Sequence, residues 1–232
     1  LLFVATNFGL LGKMPSIEDL QNPSASLASE VYADDGTPMG KFYLEDRSPV
    51  GYKDISPYVI KALVATEDER FYEHSGIDGK SLLRAVKGVV TFDPAGGAST
   101  ISQQLALNLF GGQRASNKLS RGVQKIKEWI IAVKLERNFT KDEIITYYLN
   151  TVAFGDNVYG IRNAARTFFQ KEPDRLELNE AAVLVGMLKA NTTYNPRRNP
   201  KKALDRRNTV LDQMVRNNFL SDADANKLKR EP

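Results

Sequence analysis

The sequence predicts a mainly α-helical protein with a short β element near its N-terminus. Three observations predict this fold class. Apolar residues recur with the helical period in most segments after residue 56, and glycine, proline or asparagine separates these segments. Two β-rich runs within residues 26–50 flank Asp34-Asp35-Gly36, which is a hairpin-like signal. With 232 residues, 42% of them apolar, the chain is long enough to bury a sizeable core.

The first twelve residues, LLFVATNFGLLG, are almost entirely apolar. They are fewer than the roughly 20 residues that span a bilayer as a helix. We interpret residues 1–12 as the end of a truncated membrane anchor, with a buried or amphipathic helix as the alternative. Residues 13–55 are predicted to hold a polar connector and the β element, and residues 56–232 the main domain.

The helical segments follow in order. Pro57 suits a first helical turn, and the segment that it opens is predicted to continue to His74, with an apolar stripe of Val59, Ala62, Leu63 and Thr66. Further helices are predicted over residues 79–92, 100–110, 122–138, 141–150, 158–169, 178–189 and 200–217. A polar, helix-like tail ends the sequence.

Composition excludes several kinds of site. The chain has no cysteine and one histidine, so it contains no disulfide framework and a zinc site is not expected. A formal charge of +4 is too small to indicate nucleic-acid binding. Five cations do cluster in residues 111–127, namely Arg114, Lys118, Arg121, Lys125 and Lys127. This cluster favours a polyanionic or pyrophosphate ligand, with a solvated surface loop over 111–122 as the alternative.

The segment ATEDERFYEHSG (65–76) concentrates carboxylates. Helical spacing places Glu67, Phe71 and His74 on one face, and crowding by like charges suits Glu67 to general-base work. The alternative is that these acidic residues face solvent. We interpret His74 as a structural histidine that precedes a helix-terminating Gly76.

The uncharged stretch GGASTISQQLALNLF (96–110) begins with a predicted capping box, in which Thr100 and Gln103 cap each other's backbone. The free amides of this glycine-led helix start could receive an anion or sugar hydroxyls, whereas an ordinary capped helix is the alternative. A buried stripe is predicted for Ile101, Leu105 and Leu109, and a polar face for Gln103, Gln104, Leu107 and Asn108.

In KIKEWIIAVKLERN (125–138), the helical period predicts that Ile126, Ile130 and Val133 face inward. Glu128 then lies beside Lys125 at i, i+3. Such a pair is ordinarily a surface ion pair of small energy, so it indicates little by itself.

Taken together, these motifs resemble the peptidoglycan glycosyltransferase family, the transglycosylase domain of class A penicillin-binding proteins and monofunctional transglycosylases. The resemblance covers about residues 26–217. It rests on the order ATEDERFYEHSG, GASTISQQL, QKIKEW, DEIITYYLN with VAFG, EAAVLVGMLKANTTYNP and NPKKALDRRNTVL. It implies a mainly α fold with a lysozyme-like large lobe and a smaller, membrane-proximal jaw lobe.

The activity that the resemblance implies is polymerisation of lipid II into β-1,4-linked glycan strands, with inversion and release of undecaprenyl pyrophosphate. Glu67 matches the family's general base, and Glu128 the second acidic residue, on the donor side. Phe71 and His74 match residues that shape the first motif. The matching substrate-binding positions are Asp68, Thr100, Gln103, Gln104, Asn108, Lys125, Lys127 and Lys189, and we add Arg114 from the basic loop.

Three positions depart from the family pattern. Leu107 stands where the family often has a phosphate-binding lysine, and Arg114 or Arg121 is a candidate replacement. Gln124 precedes Lys125 where many members have arginine. Thr146 stands where glutamate is common, which we interpret as a structural change.

No metal-ligand constellation is visible in the sequence, so we expect no obligatory cofactor and no metal site. The resemblance leaves open stimulation by a divalent cation. Expected partners are lipid II, the growing lipid-linked glycan, the membrane and cell-wall synthesis proteins, but not nucleic acid. The expected location is the outer face of a bacterial cell membrane, held by a single N-terminal anchor, and the expected inhibitor is moenomycin. Two alternatives are a lipid II-binding scaffold with weak activity and a lysozyme-like glycan hydrolase.

Overall fold

The computed structural model describes residues 29–32, 38–42, 49–90, 99–110 and 117–231. Two strands come first, β1 (Ser29–Tyr32) and β2 (Pro38–Phe42), and they pair antiparallel with Ser29 opposite Phe42. The predicted β element is therefore confirmed. The predicted anchor over residues 1–12 and the beginning of the connector lie outside the described residues.

Helices account for most of the remaining described chain. In order they are α1 (Pro57–Glu67), α2 (Gly79–Val90), α3 (Ile101–Phe110), α4 (Lys118–Asn138), α5 (Lys141–Thr151), α6 (Ile161–Phe169), α7 (Leu178–Met187), α8 (Pro200–Arg216) and α9 (Asp222–Lys229). The predicted helix-like tail corresponds to α9, which begins after Ser221 because the Ser221 hydroxyl accepts the Asp224 N–H. α6 begins three residues later than predicted, after Gly160, whose φ of 78° is not helical.

α1 begins where the sequence predicts. Pro57 is its first residue, and the preceding Ser56 accepts the Tyr58 N–H and donates its hydroxyl to the Leu176 carbonyl at 2.8 Å. Val59, Ala62 and Leu63 are buried as the apolar stripe requires, while Thr66 is half-buried.

The end of α1 differs from the prediction. The helix stops at Glu67, and the next residues form turns, one of them closed by the Phe71 N–H on the Asp68 carbonyl at 2.9 Å. The prediction that Glu67, Phe71 and His74 share a helical face is therefore wrong. The reason is tertiary: the Asp68 carboxylate bonds His74 and the backbone of Ile101, contacts that a continued helix would not make.

α4 begins at Lys118, four residues before the predicted start. Asn117 is the cap, since its side-chain oxygen accepts the Ser120 N–H at 2.7 Å. Lys118 and Arg121, predicted in a loop, are therefore helical.

The buried face of α4 also differs from the prediction. The buried residues of its central and last turns are Glu128, Ile131, Ala132 and Leu135, whereas Ile126, Ile130 and Val133 are half-buried. The period is helical in both cases, but the face is rotated, since α3 packs against α4, Ser102 of α3 bonds Glu136 and the Gly76 backbone lies beside Ala132. A carboxylate therefore lies on the buried face.

The chain divides into two units, and the first contains Glu67–Tyr148. α2, α3, α4 and most of α5 belong to it. A close approach at Gly76 joins the turn after α1 to α4. Gly76 has a φ of 91°, and a Cβ there would lie 2.8 Å from the Ala132 carbonyl carbon, so glycine is the residue that fits both the conformation and the space.

The second unit contains Ser24–Thr66 and Leu149–Pro232. α7 packs against α8 around buried apolar residues. The buried Arg207 donates to the Glu231 carbonyl at 2.8 Å, which holds the end of α9 against α8. The side chain of Asn150 pairs with both backbone groups of Val50, at 3.0 and 2.9 Å. Among the helices that the structure describes, none has the length and apolar content needed to cross a membrane.

Candidate active site

Glu67, the candidate general base, is the last residue of α1 and is half-buried. Its Oε2 accepts a hydrogen bond from the side-chain amide of Gln104 on α3, at 2.9 Å. The amide oxygen of Gln104 in turn accepts the hydroxyl of Tyr148 on α5, also at 2.9 Å. We call this arrangement the Tyr148–Gln104–Glu67 chain.

Tyr148 is buried, and its environment keeps the phenol neutral. Burial, and secondly the charge of Glu67, raise the pKa of Tyr148 well above its ordinary value near 10. The hydroxyl is therefore protonated at neutral pH and available as a donor to Gln104.

Asp68 and His74 form a second buried arrangement. His74 Nε2 lies 3.0 Å from both carboxylate oxygens of Asp68, and the Gly76 N–H donates to His74 Nδ1 at 3.2 Å. Because Nδ1 accepts, the proton of a neutral ring belongs on Nε2, facing Asp68. Asp68 also accepts the Ile101 N–H at 3.0 Å, so it joins the turn after α1 to the start of α3. These contacts agree with our interpretation of His74 as structural.

The start of α3 is built differently from the predicted capping box. Thr100 Oγ1 does accept the Gln103 N–H, at 3.2 Å. However, the Gln103 side chain donates to the Gly76 carbonyl at 3.2 Å, as does the Thr100 hydroxyl at 2.8 Å, so the reciprocal half of the box is wrong. The Gly76 carbonyl accepts both hydrogen bonds because it lies within reach of the two side chains.

The prediction that the first amides of α3 are free for a ligand is also wrong for two of them. The Ile101 N–H bonds Asp68 and the Gln103 N–H bonds Thr100, so the protein's own groups occupy these donors. Gln103 is buried rather than on the polar face, whereas Gln104 and Leu107 are half-buried and Asn108 is exposed. Ile101 and Leu105 are buried as predicted, but Leu109 is half-buried.

Glu128, the second candidate carboxylate, is 9% exposed. Its Oε2 lies 2.9 Å from Lys125 Nζ, which also donates to the Ser99 hydroxyl at 2.9 Å. The expectation of an ordinary surface pair is therefore wrong for the Glu128 end, whereas the Lys125 side chain keeps 35% exposure. Lys127, on the same helix, is half-buried.

One short segment is linked to both carboxylates, to one directly and to the other through Lys125. Ser99 reaches Glu128 through Lys125, and Gln104, five residues later, holds Glu67 directly. Both candidate catalytic groups are thus positioned by residues 99–104 within the first unit.

The sequence analysis did not identify a buried ion pair behind this segment. Glu136, whose side chain is 4% exposed, lies 2.6 Å from Lys141 Nζ and accepts the Ser102 hydroxyl at 2.5 Å. Lys141 also donates to the His74 carbonyl at 2.7 Å and lies 4.3 Å from the centre of the Phe71 ring. The contacts of Ser102 with Glu136 and of Lys141 with His74 join residues 34 and 67 positions apart, and the Glu136–Lys141 pair crosses the end of α4, so no helical period indicates this cluster.

Tyr148 was missed for a different reason. In KDEIITYYLN it is spaced i, i+4 from Ile144, and both are buried, so the helical period indicates only a core position. A tyrosine on a buried stripe nevertheless indicates a buried hydrogen bond, because its hydroxyl needs a partner.

Two predicted site residues stay predictions. Arg114 lies outside the described residues. Lys189 belongs to the second unit, where it is exposed. In the described residues, no group of three histidine or acidic side chains could hold a metal ion.

Comparison with known proteins gives a consistent result. A family model described as transglycosylase matches residues 35–215. The chain is 36% identical to penicillin-binding protein 1A of Escherichia coli over 220 residues, covering 94% of this chain and 25% of the relative. It is 40% identical to penicillin-binding protein 1F of Bacillus subtilis over 199 residues, covering 85% and 27%.

The chain thus spans about a quarter of the length of these curated relatives. A crystal structure of penicillin-binding protein 1A from Haemophilus influenzae is similar with a TM-score of 0.50 and 23% identity, covering 90% of this chain and 21% of that one. At this identity the likeness bears on the fold alone, and it confirms the predicted mainly α fold class.

Proposed function

The chain belongs to the transglycosylase family, the peptidoglycan glycosyltransferase domain of class A penicillin-binding proteins with its mainly α, lysozyme-like fold, and we propose that it polymerises lipid II. The product is a β-1,4-linked glycan strand. The donor is the growing lipid-linked chain, and undecaprenyl pyrophosphate is the leaving group.

The observation that carries this proposal is that the two carboxylates are held by different partners. Glu67 accepts from a neutral amide, whereas Glu128 is paired with an ammonium group. Two carboxylates in different environments can take different roles in one reaction.

Glu67 is the general base. Within the described residues its hydrogen bonding comes from Gln104 alone, to Oε2, which leaves the other carboxylate oxygen for the substrate. It accepts the proton of the 4-hydroxyl of the incoming GlcNAc as that oxygen attacks the anomeric carbon of the donor MurNAc. The bond from this carbon to the pyrophosphate oxygen breaks, and the configuration changes from α to β.

Glu128 and Lys125 act on the donor side. Lys125 is partly exposed, so its charge can reach a pyrophosphate oxygen while Glu128 and Ser99 hold its Nζ in place. Lys127, Asn108, Arg114 and Lys189 are further proposed substrate contacts. Asp68, Thr100 and Gln103 belong to the same motifs, and their hydrogen bonds hold the start of α3 against the turn after α1.

For the whole protein, the proposed partners are lipid II, the lipid-linked glycan, the membrane and other cell-wall synthesis proteins. The proposed location is the outer face of the bacterial cell membrane. No obligatory cofactor is part of the proposal, and stimulation by a divalent cation stays open to a titration experiment.

The test is a lipid II polymerisation assay on the full-length protein. We expect Glu67→Gln to lower turnover by at least about 100-fold, because the amide cannot accept the proton. Binding of moenomycin should remain within about 2-fold, since no charge on the donor side changes. Glu73→Gln, an exposed neighbour, is the matched control and should keep normal activity.

Two outcomes contradict the proposal. Substantial polymerisation by Glu67→Gln removes the general-base role. Shortening of glycan strands by the unmodified protein, instead of their elongation, identifies a hydrolase.

A further inference from the structure

We propose that Tyr148 is a positioning residue for the general base, and that it acts through the side-chain amide of Gln104. The proposal rests on the assignment of Glu67 as the base. Tyr148 itself touches neither substrate nor reacting atoms in this scheme; its hydroxyl sets which way the amide points.

The first argument concerns donors and acceptors along the Tyr148–Gln104–Glu67 chain. An ionised carboxylate only accepts hydrogen bonds, so the NH₂ group of Gln104 must face Glu67. The amide oxygen then faces Tyr148, whose hydroxyl can donate to it. If the amide were flipped, its oxygen would oppose the carboxylate and the contact would become repulsive.

The second argument concerns burial. Tyr148 is 1% exposed and lies among other buried residues of α5, so water is a poor substitute for its hydroxyl. The phenol remains neutral because burial and the charge of Glu67 raise the pKa of Tyr148. A neutral, immobile donor at this place holds the amide in one orientation.

The consequence concerns the carboxylate itself. Gln104 reaches Glu67 from α3 and Tyr148 reaches Gln104 from α5, so the position of Oε2 is defined by two helices. A base held in this way presents its other oxygen in a constant direction. This orientation should raise kcat more than it changes the affinity for substrate.

The experiment is a double-mutant cycle in the polymerisation assay, with the full-length protein. Tyr148→Phe removes the hydroxyl and keeps the ring, and Gln104→Met removes the amide at similar size. We expect Tyr148→Phe to lower kcat about 10-fold with KM for lipid II within about 2-fold. The double variant should be no slower than Gln104→Met alone, because in this proposal the Tyr148 hydroxyl positions Glu67 through the amide that Gln104→Met removes.

A merely structural role gives another result. If Tyr148 serves packing alone, its effect multiplies with that of Gln104→Met, and that outcome overturns the proposal. Tyr147→Phe is the matched control on the same helix: its ring packs edge-on against Phe139, and hydroxyl removal there should leave kcat unchanged.

Two further readouts keep the test decisive. If Tyr148→Phe does not fold, as judged by its thermal melt, Gln104→Met still tests the chain from its middle, and unchanged kcat in that variant overturns the proposal. If Glu67→Gln is inactive while Tyr148→Phe is fully active, the positioning role fails and the general-base role stands. If Glu67→Gln is active, the proposed function itself fails.

Discussion

The two candidate carboxylates lie in one unit of the molecule but in contrasting surroundings. Glu67 is at a helix end and is held by an uncharged chain that ends in a buried phenol. Glu128 is in the middle of α4, on its buried face, and is held by a cation that is itself partly exposed. Gln104 positions the Glu67 carboxylate without a compensating charge, whereas Lys125 compensates the negative charge of Glu128.

This difference teaches how one short segment can support two chemical roles. Residues 99–104 supply a hydroxyl to the Lys125–Glu128 pair and an amide to Glu67. A neutral donor leaves the carboxylate able to accept a proton, while an ammonium group beside a carboxylate suits an anionic leaving group. Substitutions at Glu67 and at the Lys125–Glu128 pair should therefore affect different steps of the reaction.

Among the variants on the donor side, the largest expected effect comes from Glu128→Gln. We expect turnover to fall about 100-fold, because the carboxylate on the donor side is lost. Affinity for moenomycin should rise about 3-fold, since Lys125 no longer has a competing negative partner. Fluorescence anisotropy with a labelled inhibitor measures the affinity. If Glu128→Gln and Glu67→Gln have the same inhibitor affinity, the two carboxylates are not distinct in the way proposed.

A smaller effect is expected for Lys125→Met. Affinity for moenomycin should fall about 10-fold because a cation on the donor side is lost. The free energy of unfolding should fall by about 1 kcal/mol, a value reduced from that of a fully buried pair because Lys125 is partly exposed. Urea denaturation measures the stability.

Lys134→Met on the same helix is the control for the Lys125 variant. It removes one positive charge at a half-buried position and should preserve inhibitor affinity. Equal losses in the two variants would indicate a general charge effect, and the specific pairing of Lys125 would then not explain donor binding.

The smallest effect is expected at Leu107, which departs from the lysine of the family pattern described in the sequence analysis. Leu107→Lys should leave inhibitor affinity unchanged or raise it up to about 3-fold, because it adds a cation at a half-buried position of α3. Arg114→Ala should lower the affinity by a similar factor if the basic segment replaces the missing lysine. Unchanged affinity in both variants would exclude this compensation.

Much of the fold could be predicted from periodicity and punctuation. The start of α1 at Pro57, the helices from α2 to α9 and the hairpin were predicted, because the helical period and the proline, glycine and asparagine residues between segments act through local geometry. Motif order likewise indicated Glu67 and Glu128. The missed start of α4 was also local, because Asn117 is an ordinary capping residue.

Other features depend on contacts that no local pattern contains. α1 stops at Glu67 because Asp68 bonds His74 and Ile101, and α4 buries Glu128 because α3 lies on that side. The hydroxyl of Ser102 on Glu136 and the hydroxyl of Tyr148 joined to Gln104 are further examples.

By itself, the sequence determined the helical class and the order of the motifs, because these follow from residue type and short-range spacing. The proposed roles of Glu67 and Glu128 rest on the resemblance of those motifs to the family. Only the tertiary structure decided how each carboxylate is held. A hydrogen bond or ion pair depends on distances of about 3 Å between groups on different helices. A helical period specifies that a face exists, but the neighbour that packs against it decides which side chains that face buries.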